Sequence, residues 1–83
     1  MLKEWFVYIV KCSDNTLYTG ITNDLSSRIK AHNTGKASKY TLPRTPVALI
    51  YKEPCGSRSL ALKRESEIKS YKRHQKLELL ATE

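Results

Sequence analysis

The stretch Trp5-Phe6-Val7-Tyr8-Ile9-Val10-Lys11-Cys12-Ser13-Asp14-Asn15-Thr16-Leu17-Tyr18-Thr19-Gly20-Ile21-Thr22 decides the fold. Its first six residues are aromatic or β-branched, which predicts a strand buried on both faces. Ser13-Asp14-Asn15 is a cluster of turn formers, and Thr16 to Thr22 is a second β-prone run, so the two runs make a hairpin. Loop length then decides which side chains share a face. A two-residue loop, Asp14-Asn15, pairs residues whose numbers sum to 29 and puts Tyr18 on the face away from Tyr8. A three-residue loop, Ser13-Asp14-Asn15, makes the pairs sum to 28 and sets Tyr18 opposite Val10, diagonal to Tyr8 on the same face. Asn15 suits the left-handed position on which such loops end, so the second register is favoured. Gly20 then lies opposite Tyr8 and leaves open space over its ring. Two tyrosines so placed also make ordinary cross-strand packing partners.

Downstream, Asn23 or Asp24 caps a helix from Leu25 to about Asn33, and Gly35 ends it. Ala37 to Pro46 is irregular and basic, with room for one short helical turn. Val47 to Tyr51 reads as a third strand, closed by Glu53-Pro54 and Gly56. Ser57 caps a long helix from about Arg58 to Lys72, with Leu60, Ala61, Ile68 and Tyr71 on one side. Lys76 to Leu80 suggests a final short helix. The order β-β-α-β-α-α predicts an α+β fold: one domain over residues 1–83, a small three-stranded antiparallel sheet flanked by helices.

The 83 residues suffice for one small domain. Fifteen Lys and Arg against eight Asp and Glu give a formal charge of +7. Residues 1–35 carry four bases and three acids; the other eleven bases and five acids lie in 36–83. A one-sided excess of this size favours a polyanionic partner, nucleic acid ahead of an anionic membrane surface. No apolar run reaches ~18 residues, and the leading Met1-Leu2-Lys3-Glu4-Trp5 does not read as a signal peptide, so a cytoplasmic location without membrane insertion is expected. Cys12 and Cys55 have no CxxC spacing and only His32 and His74 for company, which argues against structural zinc or a disulfide scaffold. Both read as small buried hydrophobes.

Val7-Tyr8-Ile9 followed, ten residues from Tyr to Tyr, by Tyr18-Thr19-Gly20 resembles the paired signature of GIY-YIG nucleases. Arg28 stands ten residues after Tyr18, like the family's catalytic arginine, and His32 stands where the family tends to place a His or Tyr. Glu65, within Ala61-Leu62-Lys63-Arg64-Glu65-Ser66-Glu67-Ile68-Lys69, resembles its metal-binding glutamate. The likeness covers nearly the whole chain and is similar to the short, stand-alone bacterial branch. Val7 stands in place of the first Gly, and Thr19 in place of the second Ile. Ile21 holds a position that is often basic, and no Asn follows Glu65.

The resemblance implies metal-dependent hydrolysis of DNA phosphodiesters. Its catalytic set here is Tyr8, Tyr18, Arg28, His32 and Glu65, with Gly20 a structural part of the motif. Glu65 would hold one Mg²⁺ or Mn²⁺, weakly without substrate, since one carboxylate plus phosphate and waters is a normal set for such ions. Arg28 would fork onto phosphate oxygens. Tyr8 would take a proton from the attacking water if nearby cations, Arg28, the metal and His32, lower its pKa from about 10. Tyr18 would bind phosphate or orient the water.

Helical spacing puts Arg28 and His32 at the margin of the Leu25–Ile29 stripe, and Glu65 at the edge of its own. Plainer roles exist for each: a surface arginine, a cation at a helix C-terminus, and an i,i+4 pair of Glu65 with Lys69. Basic residues that fit a nucleic-acid groove are Lys36, Lys39 and Arg44 in the loop, then Lys63, Arg64, Lys69, Lys72 and Arg73 on the last helices. DNA is expected ahead of RNA, with a protein partner as a further source of specificity. Two other readings stay open: a non-catalytic nucleic-acid-binding module of the same fold, and a small protein-interaction adaptor.

Overall fold

The computed structural model describes residues 4–81, so Met1, Leu2 and Lys3 of the signal-peptide reading lie outside the described residues. Strand β1 (Trp5–Lys11) is central, with β2 (Leu17–Thr22) on one side and β3 (Ala48–Gly56) on the other, both antiparallel to it. Helix α1 (Leu25–Asn33) follows β2, a 3₁₀ turn (Leu42–Arg44) precedes β3, and α2 (Arg58–Lys69) and α3 (Arg73–Ala81) complete the order. This is the expected α+β fold.

The hairpin takes the three-residue register. Val10 pairs with Tyr18 and Tyr8 with Gly20, and Asn15 adopts φ 68°. The amide of Asn15 closes the turn on the Cys12 carbonyl, at 3.0 Å.

Alternation along β1 divides the core in two. Val7 and Ile9 face α2, where Ala61 and Ile68 are fully buried with them, and Tyr71, Leu79 and Leu80 close the cluster. Tyr8 and Val10 face the other way, onto Cys12 and Val47, with Leu25 and Ile29 of α1 packed against them. The molecule therefore has three layers, α1, sheet, and α2 with α3. Among the described residues, no helix is long and apolar enough to cross a membrane.

Five boundaries and placements differ from those expected. Strand β3 runs through Glu53-Pro54 to Gly56 instead of closing at Tyr51. An edge strand tolerates a residue without an N–H, and the register shifts between Trp5 and Phe6, beside Pro54. Helix α2 stops at Lys69, where Ser70 caps it, three residues before the expected end. Helix α3 starts at Arg73, earlier than Lys76, after the Gln75 side chain accepts from the Lys72 amide. Leu60 is exposed: the apolar stripe of α2 is the narrow i, i+7 pair Ala61 and Ile68, and Leu60 lies about 100° off it. Cys12 is buried as expected, whereas Cys55 is half-buried; both are free thiols.

Candidate active site

Helix α1 begins where the Asp24 carboxylate accepts from the Ser27 amide, at 3.2 Å. That start fixes Arg28 one turn in and His32 two turns in. Arg28 is exposed. His32 is fully buried, not at the margin of the core as its spacing suggested. The reason is polar pairing at both ring nitrogens. Nε2 lies 2.8 Å from the Tyr8 hydroxyl, and Nδ1 lies 2.8 Å from Thr41 Oγ1.

The network assigns the tautomer. The Thr41 hydroxyl donates its one proton to the Ser38 carbonyl, at 3.3 Å, so it accepts from Nδ1–H. Nε2 is then the acceptor, and the Tyr8 hydroxyl donates to it. Burial, and secondly the Arg28 charge, hold the His32 pKa below its ordinary value, so the ring is neutral. Burial first, and then Tyr18, push the Tyr8 phenol well above the ordinary tyrosine range, with Arg28 a smaller opposing influence. The expected cationic push from His32 onto Tyr8 is therefore corrected. The imidazole is uncharged, and Tyr8 is a phenol that donates.

Gly20 lets Tyr8 reach this partner. A Cβ on Gly20 would stand 2.6 Å from Tyr8 Oη and 2.7 Å from its Cζ, closer than real Cβ contacts come. Tyr18, on the same face, sets its ring edge-on to His32, with centroids 5.3 Å apart.

Tyr8, Tyr18, Gly20 and Arg28 line one side of an open cleft of about 260 Å³; Trp5, Ile21, Arg58 and Glu65 line the other. The first four come from the α1 face of the sheet and the last four from the α2 face. The lining takes nothing from β3, so the cleft wraps the free edge of β2. Glu65 reaches it from the third turn of α2, mostly buried and 3.4 Å from Lys69 Nζ. Its carboxylate is a hard oxygen donor open to the cleft. Among the described residues, no three His, Cys, Asp or Glu side chains gather to hold a metal, and Glu65 is the one such side chain in the cleft lining. This donor set fits a hard divalent ion that draws its remaining ligands from phosphate and water.

The basic residues divide by placement. Lys36 lines a neighbouring cleft of about 370 Å³ that shares Arg28 with the first. Lys39, Lys63, Lys69 and Lys72 are exposed. Arg73 donates to the Asn15 carbonyl, at 2.7 Å, tying α3 to the hairpin turn. Arg64 is turned away from the cleft, to the β3 side. Its Nε and Nη2 hold the Glu53 carboxylate at 2.9 and 3.1 Å, and Nη1 meets Glu67. A guanidinium so satisfied is a tether between α2 and β3, which corrects its expected place on the nucleic-acid surface. Arg44 is likewise engaged, by Asp14 and Tyr40.

Sequence reasoning missed Arg58, Trp5, Thr41 and Tyr40. Arg58 precedes Glu65 by seven residues, and that helical spacing places the two on one face. Thr41 and Tyr40 belong to an irregular segment with no periodicity to read.

A family model described as the GIY-YIG catalytic domain matches residues 4–78. The chain is 53% identical over 79 residues to a UPF0213 protein of Staphylococcus haemolyticus, covering 95% of this chain and 96% of that one. It is 55% identical to a UPF0213 protein of Staphylococcus epidermidis over the same shares. Two solution structures share the fold. The UPF0213 protein BH0048 from Bacillus halodurans has a TM-score of 0.62 at 38% identity, over 96% of this chain and 85% of that one. The protein EF2693 from E. faecalis has a TM-score of 0.67 at 35% identity, over 98% and 86%.

Proposed function

This chain belongs to the GIY-YIG family, and from that premise we propose that it hydrolyses nucleic-acid phosphodiesters, DNA ahead of RNA, with a divalent metal ion. The observation that carries the reading is the single cleft lined by Tyr8, Tyr18, Arg28 and Glu65. Glu65 is the residue that would hold Mg²⁺ or Mn²⁺, which when bound supplies charge neutralisation at the phosphate and the departing oxygen.

Arg28 grips the phosphate oxygens, and Arg58 adds a second cation from α2, opposite Arg28. That second cation stands in for the basic residue that the resemblance to the family expects at the position of Ile21. Tyr8 receives a proton from the attacking water while passing its own proton to His32 Nε2. The water oxygen bonds to phosphorus, the phosphodiester P–O bond breaks, and the departing oxygen takes a proton from solvent. Because the phenol gives a proton as it gains one, it never has to become a phenolate, and its raised pKa is no obstacle. His32, disfavoured as a cation where it lies, then returns the proton to solvent by way of Tyr8.

The test is a cleavage screen with Mg²⁺ or Mn²⁺ over duplex, branched and single-stranded DNA and RNA. Wild type should cut, and Glu65→Ala, Tyr8→Phe and a chelator should each abolish cutting. Binding without cutting in every case would favour a second reading, a nucleic-acid-binding module without turnover. The absence of any Asn after Glu65 is the observation on that side.

A further inference from the structure

Tyr18 is held by two rings. One is His32, edge-on. The other is Tyr40, stacked at 5.8 Å between centroids with planes 25° apart. Tyr40 is 39% exposed and sits in an irregular segment, so it needs holding itself. Arg44 does this in two ways. Its guanidinium carbon lies 4.2 Å over the Tyr40 ring, and Nη1 donates to the Tyr40 carbonyl, at 2.7 Å.

Arg44 is anchored in turn. Nε meets the Asp14 carboxylate at 3.1 Å, and the Arg44 carbonyl accepts from the Ser13 amide at 2.9 Å. Asp14 is fixed in the hairpin turn by the amide and hydroxyl of Thr16, at 3.1 and 2.6 Å. One residue of the same segment, Thr41, receives the His32 Nδ1 proton.

We propose that Arg44 and Tyr40 are positioning residues, a clasp that locks the segment from Ser38 to Arg44 onto the hairpin turn and so aims Tyr18 into the cleft. The clasp rests on the nuclease reading only for its consequence, since its contacts exist without substrate. It assigns Arg44 a role other than the phosphate contact its charge suggests. Two donors and one flat face are used at once, by Asp14, the Tyr40 carbonyl and the Tyr40 ring. A lysine ammonium keeps the charge but has neither the fork nor the face. A displacement of about 1 Å in a reacting group costs on the order of 10²-fold in rate.

The experiment compares Arg44→Lys, Arg44→Gln, Tyr40→Leu and Tyr40→Phe. It uses tyrosine-ring NMR shifts, the salt dependence of DNA binding, and single-turnover cleavage. Arg44→Lys, Arg44→Gln and Tyr40→Leu should all move the Tyr18 ring shifts and slow cleavage by roughly 10- to 100-fold. Tyr40→Phe should match wild type. The log–log salt slope should be unchanged in Arg44→Gln, because Asp14 already pairs that charge. A phosphate contact would instead lower the slope by about 0.9. Wild-type rates and Tyr18 shifts in Arg44→Lys, or the lowered slope in Arg44→Gln, would overturn the clasp. If wild type cuts nothing, the nuclease reading falls, and the Tyr18 shifts alone decide the clasp.

Discussion

Replacing Gly20 with alanine tests the centre of the site in one atom. The added Cβ would stand 2.6 Å from Tyr8 Oη, and ordinary contact begins at 3.4 Å, so the phenol must retreat by about 0.8 Å. That movement breaks the 2.8 Å bond to His32 Nε2 unless the imidazole follows, and Thr41 holds the imidazole from behind. Leaving the buried nitrogen unpaired costs about 1–3 kcal/mol. Alanine returns about 0.5–1 kcal/mol by restricting the unfolded chain. The expected net loss is about 1–2 kcal/mol, a fall in Tm of roughly 5–15 °C for a domain of this size. Thermal melts followed by circular dichroism measure the loss, and the ¹⁵N shift of His32 Nε2 reports whether its partner has gone. A Gly20→Ala protein with wild-type Tm and an unmoved Nε2 signal would refute the close-approach argument.

Thr19 Oγ1 is buried without a hydrogen-bond partner among the described residues, so Thr19→Val, which keeps the shape, should raise stability by about 1 kcal/mol, read as a higher urea midpoint. Stability should fall on acidification below about pH 6.5. His32 has a depressed pKa in the fold, so the unfolded chain binds its proton first, and the stability present above 6.5 is lost as pH falls through the folded value. Urea midpoints between pH 8 and pH 5 that stay level would exclude this. Glu53 adds its own loss only at lower pH: burial alone would raise its pKa, but hydrogen bonds from Tyr51 and Arg64 outweigh that and hold it below 4.5. Glu65→Gln should change stability by under about 1 kcal/mol yet weaken Mg²⁺ uptake in the presence of DNA, as followed by titration calorimetry. Equal uptake by the two proteins would remove Glu65 as the ligand.

The part of this site that lies on the hairpin is legible in the sequence because β geometry is strictly alternating. Asn15 sets the loop length, the loop length sets the register, and the register puts Tyr8, Tyr18 and Gly20 together. Helical angle puts Glu65 at the edge of its stripe, but it is the resemblance to the family, not the angle, that singles it out as a ligand. His32 defeats that reasoning. Its spacing puts it at the core margin, but a Thr nine residues on and a Tyr from another element satisfy its nitrogens and allow full burial. Arg64 looks like one more cation in a basic helix until Glu53 arrives from β3, on a stretch that Pro54 seemed to exclude from the sheet. Both errors come from partners brought by tertiary structure, about which local periodicity is silent.

The cleft wraps the free edge of β2, and this restricts how the fold can grow. A fourth strand laid against β2, from an insertion, a fused domain or a neighbouring molecule, would fill the space between Arg28 and Glu65. Elaboration that spares the cleft has to go to the opposite edge. There Pro54 withholds one backbone donor, so an added strand has its best purchase along Ala48 to Glu53. An appendage joined on that side would leave the cleft edge open while extending the sheet away from it.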